Sequence, residues 1–124
     1  VKIDKLYRKI INNKQKIDII FCIGSTMILP KEILKIPILG TLNIHPSLLP
    51  KFKGLNTHER AINKKEKYSG CTVHFVNSKL DSGKIILQKK VKIKKSDTPK
   101  TLAKRILSQE HRLYPKAILK VFNL

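Results

Sequence analysis

The feature that most constrains this chain is a pair of apolar runs. Residues 17–23, IDIIFCI, are nearly continuous apolar and β-branched, and they stop at Gly24. A run without period-2 alternation suits a strand buried on both faces of a parallel sheet. Residues 38–45, ILGTLNIH, form a second buried strand. Parallel neighbours need a crossover, and the intervening MILPKEILKIP has room for one, with a short helical turn starting near Pro30. The pair commits the chain to an α/β architecture with a parallel start.

The flanking segments add helices and an antiparallel finish. Ile3, Leu6, Tyr7, Ile10 and Ile11 recur at the spacing of an amphipathic helix, with lysines and Arg8 on the other side. After a loop over residues 46–55, NTHERAINKKEK has helical composition, with Asn56 or Thr57 as the cap and Ala61 and Ile62 facing inward. YSGCTVHFVNS alternates, with Cys71, Val73 and Phe75 on one side and Thr72, His74 and Val76 on the other. KIILQKKVKI follows after the turn-like KLDSGK, so the two segments predict a hairpin. Thr98 caps a last helix with Pro99 at its first position. Leu102, Ala103, Ile106, Leu107 and Leu113 form its apolar stripe, and Pro115 is expected to interrupt or kink it. The glycines at 24, 40, 54, 70 and 83 are too scattered to build a phosphate-gripping loop.

Composition narrows the function classes. At 124 residues and 41% hydrophobic content the chain has material for one modest core, so residues 1–124 are expected to be a single domain or part of one. It carries 27 Lys+Arg against 8 Asp+Glu, a net +19, which ordinarily points to an anionic partner. The lysines are spread along the whole chain, however, and three Tyr with four Phe offer little for stacking on bases, so no nucleic-acid partner is expected. Cys22 and Cys71 are isolated thiols inside apolar runs, with no CxxC and no histidine cluster. They predict core residues in a reducing compartment, and no metal. No apolar stretch approaches the roughly 18 residues that cross a bilayer, and no signal-peptide core opens the chain, so the expectation is a cytoplasmic protein without a membrane partner. The first residue is Val, from which lost upstream residues are expected. The sequence carries no signal for oligomeric state.

Chemistry concentrates in TLNIHPSLLPKFKG, residues 41–54. Asn43 and His45 lie two apart on a strand, so their side chains project to one side. The C-terminal ends of parallel strands open onto the crevice where ligands bind. A carboxamide and an imidazole there can offer two hydrogen bonds to one developing oxyanion in acyl transfer. The alternative is that Asn43 closes a turn and His45 is a structural histidine beside Pro46. Asp81, in KLDSGK, is either a turn former or a carboxylate brought near His45, where its charge would favour the protonated ring and raise its pKa. Glu110 shares a helical face with Ala103, Ile106 and Leu113. It either reaches a lysine at the edge of the core or projects into a cleft and accepts hydrogen bonds from a polar ligand. Thr72 and His74 are either solvent-exposed or pointed at the same cleft, and His58 and His111 carry no independent signal.

Three segments in one order, NIHPSLLPKFKGLNTHERAI, GCTVHFVNSKLDSGKIILQKKV and QEHRLYPKAI, resemble the C-terminal two thirds of the phosphoribosylglycinamide formyltransferase family, over Leu6 to Phe122. The resemblance implies a Rossmann-like formyltransferase fold, here without its N-terminal strand and phosphate loop. It implies transfer of a formyl group from 10-formyltetrahydrofolate to the amine of glycinamide ribonucleotide in purine synthesis. The family's catalytic Asn, His and Asp fall on Asn43, His45 and Asp81, the Asp keeping the His protonated and ordering a water for proton transfer. The folate pterin, held largely by main chain, falls on Thr26, Met27, Ile28 and Leu29 and on Asn77, Ser78, Lys79, Leu80 and Asp81, with Asn43 alongside. The glutamate that touches the ribonucleotide's ribose falls on Glu110.

The chain also departs from the family's pattern. GSTMIL places Met27 where an Arg is usual, a change that backbone contacts tolerate, and Asn56 stands where some members have His. The family's Gly-rich GSGSN loop, which grips the substrate phosphate, does not occur, so this chain alone is expected to bind the ribonucleotide poorly. Two other users of 10-formyltetrahydrofolate share the site logic. Methionyl-tRNA formyltransferase typically continues SLLPRxRGAAP and formyltetrahydrofolate deformylase reads NIHHSFLP, so HPSLLPKFKGLNTHERA fits the purine enzyme better. An inactive fragment that keeps the folate half is the remaining alternative.

Overall fold

The computed structural model describes residues 5, 8, 9, 12, 16–24 and 28–123. The stripe of the opening helix lies outside these residues, and of that segment Lys5, Arg8 and Lys9 are helical. The chain continues through β1 (Ile19–Ile23), α1 (Lys31–Leu34), β2 (Gly40–His45), α2 (Thr57–Asn63), β3 (Tyr68–Phe75), β4 (Ile85–Lys92) and α3 (Pro99–Val121). The four strands form one sheet in the order β1-β2-β3-β4. β1 and β2 run parallel, and β2–β3 and β3–β4 are antiparallel. This is the α/β arrangement of a parallel start and an antiparallel hairpin.

The core forms where α3 crosses the sheet. Leu42 and Ile44 of β2 and Cys71 and Val73 of β3 meet Leu102, Ile106, Leu113 and Ala117 of α3. Full burial of each Leu or Ile contributes about 1.5–3 kcal/mol. The helix starts on a reciprocal cap, in which the Thr98 hydroxyl accepts from Thr101 N at 3.2 Å and the Thr101 hydroxyl accepts from Thr98 N at 2.9 Å. Near its other end the Tyr114 hydroxyl lies 2.6 Å from Cys22 O and 3.1 Å from Leu42 O, tying the helix across β1 and β2.

Four expectations need correction or completion. β1 is not buried on both faces: among the described residues it is an edge strand, with Phe21 46% and Ile23 79% exposed. The reason is the placement of α3, which packs mainly over β3 and β4 and leaves a groove of about 390 Å³ beside β1. Pro115 neither interrupts nor ends α3, which runs through it to Val121. Proline removes the hydrogen bond to the carbonyl four residues back, and here both Pro115 and His111 are exposed, so water can take that carbonyl. The apolar stripe therefore continues to Ala117, while Leu107 is 46% exposed. Asn56 caps α2 from the left-handed region, φ 55°, without a side-chain bond, its carbonyl accepting from Arg60 N at 3.0 Å. Thr72 and His74 are buried because β3 is an interior strand covered on both faces. Among the described residues, no helix is long and apolar enough to cross a membrane.

Candidate active site

The β2–β3 register sets Asn43 opposite His74 and His45 opposite Thr72. Directly opposed residues share a face of the sheet, so these four polar side chains line one face while Leu42, Ile44, Val73 and Phe75 line the other. None of the four is more than 2% exposed. The loops over residues 46–55 and 76–84 roof this face.

The second loop delivers the acid. A Cβ at Gly83 would lie 1.6 Å from Phe75 O, so only glycine permits this approach of the loop to the strand. Asp81, at φ 47°, then turns inward, with its side chain 1% exposed. Asp81 Oδ2 stands 3.5 Å from His45 Nδ1 and accepts from Gly54 N at 2.8 Å. Asp81 Oδ1 stands 3.9 Å from His74 Nε2 and has no hydrogen-bond partner among the described residues. The two loops are also joined by Lys53 Nζ, which donates to Ser82 Oγ at 2.9 Å.

Main-chain carbonyls fix the roles of both rings. His45 Nε2 lies 2.8 Å from Phe52 O. A ring nitrogen facing a carbonyl must carry its hydrogen, which turns Nδ1 toward Asp81. That contact is an ion pair only when the ring carries both protons. His74 Nδ1 lies 2.9 Å from Phe75 O and must likewise donate, which leaves Nε2 as the acceptor of the neutral ring. That acceptor is 3.5 Å from Asn43 Nδ2, so the carboxamide presents its nitrogen, not its oxygen, on this side. Burial lowers the His74 pKa, against opposing pulls from the Phe75 carbonyl and Asp81, and the neighbouring His45 lowers it further. His58, on α2, is lowered by burial and then by His45, a proximity that the sequence did not signal.

The structure thus brings Asn43, His45 and Asp81 together and adds His74. It sets Glu110 apart. That residue lies on the opposite face, in the groove beside β1 with Phe21, Ile23, Ile44 and Tyr114, and burial raises its pKa. Of the residues expected at the pterin, Thr26 and Met27 lie outside the described residues. Ile28 is 61% exposed and Ser78 is exposed. Leu29, Asn77, Lys79 and Leu80 join Asn43, His74 and Asp81 around a pocket of about 10 Å³, room for about one water. A bicyclic ring needs a wider opening between these loops. Sequence reasoning also missed the Phe52 carbonyl and the Gly54 amide, since backbone partners leave no trace in residue type. His74 takes the second of the two alternatives the sequence left for it, facing the same cleft as Asn43 and Asp81.

Chemically, an oriented amide N–H, an imidazole that can carry a second proton and a buried acid with a spare oxygen can stabilise an oxyanion and pass a proton. Known proteins resemble this chain over most of its length. The family model described as formyl transferase matches residues 6–118. The chloroplastic phosphoribosylglycinamide formyltransferase of Arabidopsis thaliana is 37% identical over 110 residues, covering 85% of this chain and 38% of the relative. The human trifunctional purine biosynthetic protein adenosine-3 is 52% identical over 77 residues, covering 62% of this chain and 8% of the relative. The crystal structure of phosphoribosylglycinamide formyltransferase from Brucella melitensis matches with a TM-score of 0.82 and 42% identity, over 95% of this chain and 59% of that one. The chain spans less than two thirds of each of these proteins. With the family model covering nearly its whole length, the chain belongs to the formyl transferase family.

Proposed function

We propose that the chain is the site-bearing part of a phosphoribosylglycinamide formyltransferase, moving a formyl group from 10-formyltetrahydrofolate to the primary amine of 5′-phosphoribosylglycinamide. The observation that carries this reading is the convergence of Asn43, His45 and Asp81 on one buried face, with Asp81 3.5 Å from the His45 ring. The amine attacks the formyl carbon, and negative charge grows on the formyl oxygen. Asn43 Nδ2–H and, once the ring carries its second proton, His45 Nδ1–H are the donors that meet it. A separation of 3.5 Å is longer than a charge-assisted hydrogen bond, so Nδ1–H has reach for the substrate oxygen as well as for Asp81. One proton leaves the attacking nitrogen and one reaches the departing folate nitrogen. Asp81 Oδ1, buried and unpartnered among the described residues, is the place for a water that relays it.

In this reading the main chain at Thr26, Met27, Ile28 and Leu29 and at Asn77, Ser78, Lys79, Leu80 and Asp81 holds the pterin. Glu110 accepts from the ribose hydroxyls, so the ribonucleotide spans the strand ends between groove and pocket. The associated location is the cytoplasm. A second reading, a folate-binding piece without turnover, is favoured by the scatter of the glycines at 24, 40, 54, 70 and 83, which build no phosphate-gripping loop in this sequence. The test is to incubate the purified chain with 10-formyltetrahydrofolate and each acceptor and follow tetrahydrofolate release. Release that depends on the ribonucleotide supports formyl transfer in purine synthesis. Donor binding without release at high ribonucleotide supports the second reading, and release driven by initiator tRNA or by water alone overturns the acceptor assignment.

A further inference from the structure

The loop over residues 46–54 holds both groups on which the proposed chemistry turns, through Phe52 O on His45 and Gly54 N on Asp81. One buried hydroxyl joins the start of that loop to the sheet. Thr72 is completely buried and sits directly across the sheet from His45. Its hydroxyl donates to Ser47 O at 2.7 Å and accepts from Leu49 N at 3.1 Å and from Gln88 Nε2 at 2.9 Å. A hydroxyl has one hydrogen and two lone pairs, so these three contacts use its whole capacity and leave none for a substrate. Gln88, the register partner of Thr72 on β4, also donates to Leu49 O at 2.8 Å. The strands therefore grip the loop at Ser47 and at both polar groups of Leu49.

From that grip the loop passes its position along. Ser47 Oγ donates to Lys51 O at 2.6 Å, and Lys51 N donates to Leu48 O at 3.0 Å, which closes a compact turn just before Phe52. Arg60 steadies the next stretch, stacking over the Phe52 ring at 5.5 Å and donating to Lys53 O at 2.6 Å. The Phe52 carbonyl then selects the Nε2–H form of His45, and the Gly54 amide selects which oxygen Asp81 turns toward that ring.

We propose that Thr72 is a positioning residue: its hydroxyl fixes the loop that sets the His45 tautomer and the Asp81 carboxylate orientation. The proposal rests on the reading of His45 and Asp81 as the groups that do the chemistry. Its spectroscopic consequence stands whether or not the chain turns over. Without the hydroxyl, Ser47 O and Leu49 N lose a buried partner, the loop relaxes, and the Phe52 carbonyl no longer holds one nitrogen of the ring.

The experiment compares Thr72→Val, which keeps shape and loses all three bonds, with Thr72→Ser, which keeps the hydroxyl, in the full 124-residue chain. The readouts are the imidazole ¹⁵N spectrum of His45 and the kcat and KM of formyl transfer. Thr72→Val is expected to replace the single Nε2–H signature with averaging of two tautomers. It is expected to lower kcat about 10- to 100-fold, the range of a misplaced catalytic group, with the donor KM within about 3-fold; Thr72→Ser restores both. An unchanged His45 spectrum in folded Thr72→Val overturns the proposal, as does a kcat loss that only tracks the folded fraction. If the wild-type chain shows the Nε2–H signature but transfers no formyl group, the functional reading fails while the spectrum still decides on Thr72. Should Thr72→Val not fold, Gln88→Leu loosens the same grip from the exposed strand. It is expected to give the averaged spectrum more weakly, and an unchanged spectrum there overturns the proposal.

Discussion

The two faces of β2 and β3 are built from alternate residues of the same two strands and do opposite work. One face, Leu42, Ile44, Cys71 and Val73, is sealed by α3 with side chains that have nothing to satisfy but contact. The other, Asn43, His45, Thr72 and His74, is sealed just as tightly, yet every polar atom needs an address. Those addresses come mostly from backbone: Phe52 O, Phe75 O, Ser47 O and Leu49 N. The apolar face tolerates change in proportion to lost contact, whereas the polar face depends on individual bonds.

That contrast can be broken by experiment. The largest effect is expected at Asp81→Asn, which keeps shape and removes charge. Formyl transfer should fall about 10³-fold, within the usual range for a proton-transfer group, while the melting temperature barely moves. An equal loss of stability would make Asp81 structural and erase the difference between the faces. On the other face, Leu42→Ala should destabilise the fold by about 2–5 kcal/mol in urea titration, with activity per folded molecule retained. Gly83→Ala joins the two kinds of effect. Its Cβ would collide with Phe75 O, so about 1–3 kcal/mol of overpacking strain should be accompanied by reduced turnover as the Asp81 loop is pushed out.

Stability against pH sharpens the comparison further, because the two faces carry opposite signs. His74 has a lowered pKa from burial. Between its folded value and the unfolded value near about 6.5, the unfolded chain binds the proton that the folded ring refuses. Stability is therefore lost as pH falls below about 6.5, by at most about 1.4 kcal/mol per pH unit for one group. His58 adds the same sign, so His74→Gln should reduce the slope without abolishing it. Glu110, in the apolar groove, has a raised pKa from burial. There the folded state keeps the proton longer, so stability is lost as pH rises through the window above about 4.3. Thermal melts of Glu110→Gln should lack that decline. The smallest effect is expected at Tyr114→Phe, about 0.5–1.5 kcal/mol for the hydroxyl that ties α3 to β1 and β2.

How much was legible in the sequence follows the same division. The strands and the long helix announced themselves through period and capping, and Asn43 and His45 shared a face by their two-residue spacing, whereas Asp81 stood between a turn former and a partner of His45 until the family resemblance supplied a role. β1 was misread because burial depends on what lies opposite: IDIIFCI is as apolar as an interior strand, but α3 passes over β3 and β4 instead. Pro115 was misread because its penalty depends on whether the orphaned carbonyl meets water, which exposure decides. The face chosen by Glu110 was hidden because a helical stripe states which residues point inward without saying which side of the sheet they meet. The clamp at Thr72 was hidden because two of its three partners are backbone atoms.

The exposed side of β1 also governs how the molecule behaves in company. A short apolar edge with Phe21 and Ile23 uncovered is a surface on which chains stick to one another, and what opposes this is mutual repulsion at a net charge of +19. Raising salt from about 0.15 M to about 1 M shrinks the reach of that repulsion from about 8 Å to about 3 Å. Light scattering is therefore expected to show dispersed molecules in dilute, low-salt buffer and association through that edge in concentrated brine.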